Sequence, residues 1–152
     1  AYLFRSRWCS FASMTPLGRR VFVIDDDRSV CRGLARLLTA ADFRVETFES
    51  GRAFLKRAPP KGEHCLVVDV RMPRMSGPAF RDELRDRGRT SPIVFMTAHG
   101  TDEIEEDLGM ETVLVKPIEA DVLVRAVDAA MNSSAEYLGR RAPRVRRRGT
   151  AR

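Results

Sequence analysis

Four short apolar runs, each closed by a polar residue, constrain this chain more than anything else in it. Val21-Phe22-Val23-Ile24 runs into Asp25-Asp26-Asp27, and Leu66-Val67-Val68 into Asp69. Pro92-Ile93-Val94-Phe95-Met96 ends on Thr97, and Val113-Leu114-Val115 on Lys116-Pro117. Runs of this length read as strands buried on both faces, the kind found in parallel sheets covered by helices. Ligands of such open α/β sheets bind just beyond the carboxyl ends of the strands. If the runs are parallel neighbours, one rim gathers several carboxylates, a hydroxyl and an ammonium.

The intervening segments supply the helices. Strand 20–24 is followed by an amphipathic helix over 28–41, with Val30, Leu34, Leu37, Leu38 and Ala41 at helical spacing. A second strand is predicted over 43–48. A short helix follows, capped by Ser50, running to Ala58 and stopped by Pro59-Pro60. The third strand is 65–69, and the loop after it is punctuated by Pro73 and Gly77. A helix over 78–87 opens on Pro78, a favoured first-turn residue. Strand 93–97, a short acidic helix over 102–108 stopped by Gly109, strand 112–115 and a last helix over 119–131 complete the series. Strictly alternating strands and helices imply a (βα)₅ doubly wound, five-stranded parallel sheet.

Composition supports a soluble globular domain, with 43% hydrophobic and 32% charged residues. No apolar stretch approaches the roughly 20 residues needed to cross a bilayer. Arg5 and Arg7 interrupt the apolar start, which argues against a secretory signal. The net charge of +6 is unevenly spread. Residues 1–20 and 137–152 carry four and seven arginines and no acid, so the stretch between them is net acidic. We therefore expect a disordered extension over 1–18, a folded domain over 19–132 and a basic disordered tail over 133–152. Met14 is a natural start, which would make residues 1–13 an upstream extension. Cys9, Cys31 and Cys65 show no zinc-like spacing, and reduced thiols in a cytoplasmic protein are the expected state.

The rim residues suit phosphate chemistry. Asp25, Asp26 and Asp69 held together would repel one another, and a divalent cation removes that cost. Mg²⁺ takes oxygen ligands and is often completed by a phosphate. A phosphoryl group beside it presents further oxygens, which Thr97 and Lys116 are the residue types to receive. Only three of the 27 basic residues are lysines, so a lysine directly after a buried strand suggests a need for a compact point charge. Asp69 is left as the nucleophile, and its product would be a labile acyl phosphate. Each residue alone also has a plain explanation: a helix N-terminus for the aspartates, a loop cap for Asp69, turn residues for Thr97 and Lys116-Pro117. Their joint placement after successive strands decides in favour of a site. His99 reads as a loop histidine, and the Arg71 side chain as solvent-facing.

The set Asp25-Asp26, Asp69-Val-Arg-Met-Pro-Arg-Met-Ser-Gly77, Thr97-Ala98 and Lys116-Pro117 resembles the receiver domain of two-component response regulators. The stretch from Asp69 to Gly77 is similar to receivers of nitrogen-fixation and LuxR-type regulators. The resemblance covers about 20–131 and implies a flavodoxin-like fold and Mg²⁺ dependence. It also implies phosphoryl transfer from a histidine kinase or phosphotransfer protein. By resemblance Asp69 is the phosphoacceptor, Asp26 a direct Mg²⁺ ligand and Asp25 a ligand mainly through water. The Arg71 backbone carbonyl would be the third protein ligand. Thr97 and Lys116 would contact the phosphoryl group, and the Lys116-Pro117 peptide would be cis. Two departures stand out. Thr97 and Lys116 are 19 positions apart, about one helical turn short of the usual receiver, which places the loss in the fourth helix. Val113 stands where receivers often carry Tyr or Phe.

The expectation is a stand-alone receiver that signals by protein–protein contact or acts as a phosphate sink. It is not expected to be an enzyme beyond intrinsic autodephosphorylation, to bind DNA specifically or to engage a membrane. A receiver fragment of a hybrid kinase or larger regulator remains open. A haloacid-dehalogenase-type phosphatase would need an acid two residues after Asp69, where Arg71 stands. Binding of nucleic acid by the arginine-rich tail would be salt-dependent and non-specific.

Overall fold

The computed structural model describes residues 18–98, 108 and 111–141, with side chains described as far as residue 134. Five strands form one parallel sheet: β1 (Arg20–Ile24), β2 (Arg44–Phe48), β3 (His64–Asp69), β4 (Ile93–Thr97) and β5 (Thr112–Val115). Their order is β2-β1-β3-β4-β5. Register places Ile24 beside Phe48 and Val68, Asp69 beside Met96, and Thr97 beside Val115. All carboxyl ends therefore share one rim. The strand order reverses between β1 and β3, and the crevice at such a switch point is where ligands of these sheets bind.

The strands read as continuous apolar runs because both faces are covered. Successive side chains alternate between faces, so each strand feeds two separate cores. Val21, Val23, Val67, Val94 and Met96 face one core. Helix α1 (Arg28–Ala40) closes it with Leu34 and Leu38, and helix α4 (Ala120–Arg141) with Leu123 and Val127. Phe22, Ile24, Leu66, Val68 and Phe95 face the other. There Phe54 of α2 (Gly51–Leu55) packs edge-on against Phe22 at 5.5 Å and against Phe80 of α3 (Gly77–Asp86) at 5.8 Å. Buried Leu108 joins this second core. Burying a residue of this size contributes roughly 1.5–3 kcal/mol.

Helix starts follow their caps. Asp27, Ser50 and Ser76 accept hydrogen bonds from backbone N–H groups of the first turns of α1, α2 and α3. Helix ends depart further from expectation. Helix α2 stops at Leu55 rather than Ala58. Helix α4 runs to Arg141, ten residues past Met131, so 133–141 are helical rather than part of a disordered tail. The apolar stripe fades after Met131, but neither Ser133-Ser134 nor Ala135-Glu136 breaks a helix, and the next proline is Pro143. The expected helix at 102–108 lies outside the described residues except Leu108, which is helical. The tails 1–17 and 142–152, Cys9 and His99 also lie outside them.

Candidate phosphoacceptor site

The rim brings the expected residues together. Asp25 follows β1 directly, and its backbone N–H donates to the Phe48 carbonyl at 3.1 Å, which seats it deep in the rim. Asp25 is 1% exposed and Asp69 6%, whereas Asp26 is exposed. One carboxylate oxygen from each of the three lies within 4.8 Å of the others. The Lys116 ammonium donates to Asp25 Oδ2 at 2.9 Å and to Asp69 Oδ1 at 3.2 Å. Its backbone N–H donates to the Thr97 carbonyl at 2.7 Å, tying the ends of β4 and β5 together. Thr97 is buried and stands one residue beyond the register partner of Asp69. The Lys116-Pro117 peptide is cis, as the resemblance implied.

These contacts set the electrostatics. Burial pushes the Asp69 carboxyl above its ordinary value, and the Asp25 carboxylate pushes the same way. Lys116 opposes both without cancelling them. For Lys116 burial works to lower the value, but hydrogen bonds and charge from Asp25 and Asp69 outweigh it, so the ammonium is held above the ordinary lysine range. Three carboxylates face one ammonium, leaving the cluster at −2. An all-oxygen donor set with excess negative charge, partly exposed through Asp26, fits a hard divalent cation that keeps open positions.

Asp27, the third of the aspartate triplet, has another task. Its side chain accepts from the N–H groups of Ser29 (2.8 Å) and Val30 (3.3 Å), capping α1. Its own N–H donates to Asp25 Oδ1 at 3.0 Å, which fixes the deeper carboxylate. Arg71 sits in the loop after β3 with its side chain exposed, as expected. Gly77 reads as loop punctuation in the sequence, yet it is a close-approach position. A Cβ there would lie 2.8 Å from the Asp69 carbonyl oxygen and 3.0 Å from Val70 Cα. Its N–H donates to the Val70 carbonyl at 2.9 Å, closing the loop beneath Asp69. The Ser-Gly-Pro sequence signals a capped helix start, but nothing local signals that crowding.

The doubly wound parallel sheet thus carries an acidic cluster and a lysine at its switch point. The chain belongs to the response regulator receiver domain family, whose pattern matches residues 21–128. It is 38% identical over 119 residues to the transcriptional regulatory protein FixJ of Azorhizobium caulinodans. It is 31% identical over 128 residues to the response regulator protein TodT of Pseudomonas putida. These alignments cover 76% and 82% of this chain and 56% of each relative, so the chain spans just over half the length of the curated relatives it matches. Among solved structures, response regulator StyR superposes with a TM-score of 0.71 at 40% identity, covering 82% of this chain and 64% of that one. The crystal structure of FixJ-N superposes at 0.69 with 32% identity, covering 75% and 94%. The five-stranded flavodoxin-like receiver fold and a place in two-component signalling are thereby shown. No helix among the described residues is long and apolar enough to cross a membrane.

Proposed function

We propose that Asp69 accepts a phosphoryl group from a histidine kinase or phosphotransfer protein. The single observation that carries this reading is Lys116, whose ammonium bridges buried Asp25 and Asp69 inside a three-carboxylate cluster. Asp25, Asp26 and Asp69, with the Arg71 carbonyl, are the residues to hold Mg²⁺. When bound, the ion offsets the charge on the cluster and on the incoming phosphoryl oxygens. An Asp69 carboxylate oxygen attacks phosphorus, the bond from phosphorus to the donor histidine nitrogen breaks, and that nitrogen keeps the electron pair. Lys116 and the Thr97 hydroxyl receive phosphoryl oxygens, and the product is an acyl phosphate.

We read the domain as a phosphoacceptor with slow autodephosphorylation and no separate substrate. The acid that a dehalogenase-type phosphatase needs two residues after its nucleophile is replaced by Arg71. Output through protein–protein contact or phosphate storage is the reading for this domain. Transcriptional regulation is named for FixJ, a protein nearly twice as long as the region matched. Incubation with acetyl phosphate and Mg²⁺ should add one phosphoryl mass, a gain prevented by EDTA present from the start and by Asp69→Ala. A mass gain that survives Asp69→Ala would refute the assignment.

A further inference from the structure

We propose a second ligand site, at the opposite end of the sheet from Asp69, for a small organic anion carrying two or more negative charges. A groove of about 490 Å³ opens there between the end of α3, the amino-terminal ends of β4 and β5, and the Ala129–Ser134 stretch of α4. Thr97 and Ile93 are the two ends of β4, which puts the groove roughly 13 Å from the phosphoacceptor rim. The proposal therefore stands whether or not Asp69 is phosphorylated.

Three guanidinium groups line the groove, from Arg81, Arg85 and Arg89, against one carboxylate, Glu111. Glu111 accepts from Arg81 Nη1 at 3.1 Å and from Arg85 Nη2 at 3.0 Å. One acid thus orients two cations while neutralising only one. Arg81 is further engaged by Asp82 at 3.1 Å, so the available positive charge rests on Arg85 and Arg89. The Arg85 side chain is 62% exposed. Arg89 has spare donor capacity: Nη2 reaches the Arg57 carbonyl at a long 3.4 Å, and buried Nη1 has no hydrogen-bond partner. A second depression shares Arg89, Thr90 and Ser91; its further arginine, Arg87, is paired with Glu83 at 3.0 Å and adds no net charge.

The lining also says what kind of anion fits. Hydroxyls of Thr90, Ser133 and Ser134 are neutral donors of the sort that complete phosphate or carboxylate shells, whereas the Ser91 hydroxyl is already engaged by His64 Nε2 at 2.9 Å. Pro92, Ile93, Ala129 and Ala130 offer an apolar wall for a carbon skeleton. The volume lies in the range of small-molecule sites, about 300–1,000 Å³, and exceeds what an inorganic ion needs. The chain's terminal segments are poor occupants, since residues 1–20 and 137–152 carry only arginine as charge.

The test is a titration of the full ¹⁵N-labelled chain in Mg²⁺-free, low-salt buffer with citrate, adenosine monophosphate or inorganic phosphate. The expected result is saturable amide shifts at Thr90, Ser91, Glu111 and Ser133 with an organic anion, with Asp25, Asp69 and Lys116 unmoved. Inorganic phosphate should bind more weakly. Arg85→Ala and Arg89→Ala should each weaken binding about tenfold, the loss of one charged hydrogen bond. If Arg89→Ala fails to fold, exposed Arg85→Ala decides alone. Shifts confined to the arginine-rich ends or to the Asp69 rim, or affinity unchanged in Arg85→Ala, would overturn the proposal. So would silence toward every probe.

Discussion

Lys116→Met isolates the electrostatic logic of the site. The substitution keeps the length of the side chain and deletes the one cation bridging Asp25 and Asp69, at 2.9 and 3.2 Å. Exposed ion pairs are worth about 0.2–1 kcal/mol each, and breaking a buried pair costs about 3–5 kcal/mol. Here both acids are buried and the lysine is 23% exposed, so the cost lies between those limits, at about 2–3 kcal/mol. For a domain of this size that is a fall in Tm of roughly 8–12 °C. The cluster also goes from −2 to −3, so the variant should gain more from Mg²⁺ than the parent does. Thermal unfolding in EDTA and across a Mg²⁺ titration measures both effects. A variant as stable as the parent in EDTA, or one with the smaller Mg²⁺ increment, would refute the reasoning.

The pH dependence of Asp69 gives a second test. Burial, then the Asp25 charge, hold its folded value above the unfolded one, so the native state keeps the proton to higher pH. That stabilisation is complete below the unfolded value of about 3.9 and is lost as pH rises through the folded value. In EDTA, Asp69→Asn should therefore gain on the parent from about pH 4 upward; a constant offset in chemical denaturation would contradict this. Gly77→Ala drives a Cβ to 2.8 Å from the Asp69 carbonyl oxygen and should cost about 1–3 kcal/mol by urea unfolding while slowing phosphorylation from acetyl phosphate. Asp27→Ala should cost about 1 kcal/mol through the lost α1 cap yet leave Mg²⁺ affinity within about twofold, measured by fluorescence or calorimetric titration. In a Cys9→Ser background, Cys65, whose thiol burial pushes up to about 12, and buried Cys31 should resist a disulfide reagent until the chain unfolds.

What could be read from the sequence followed from how local each signal is. Strands β1, β4 and β5 keep the bounds expected from the sequence, each within a residue of its apolar run, because the alternation of short apolar runs with turn and helix signals is local. Helix ends were less legible. Helix α4 continues past the apolar stripe that ends at Met131, and α2 is cut short before Lys56. The site residues were legible because they follow strands directly. Their division of labour entered only through the resemblance, which separated Asp25 from Asp26 and left Asp27 aside. Three consecutive aspartates look equivalent in sequence, yet Asp25 is buried against Lys116, Asp26 is exposed and Asp27 caps a helix. Register and helix entry separate them, and neither is a property of the tripeptide. The Arg81–Glu111–Arg85 cluster was likewise hidden, since it joins residues 26 and 30 positions apart.

The same geometry bears on how a phosphoryl group at Asp69 would be felt elsewhere. Thr97 and Lys116 end adjacent strands and share a backbone hydrogen bond of 2.7 Å. Any ligand that draws both side chains toward Asp69 acts on β4 and β5 as a pair. Strand β4 is buried along nearly its whole length, whereas β5 is an edge strand with its ends exposed. The less buried strand has fewer packing contacts to lose, so displacement should fall on β5. Val113 pairs with Phe95 in that strand and is only partly buried. It offers no aromatic ring that could turn inward, so a signal is expected to travel as a shift of β5 backbone. Amide shifts on phosphorylation should then be larger at Thr112–Val115 than at Ile93–Met96. Equal shifts in the two strands would mean that the buried strand yields as readily as the edge.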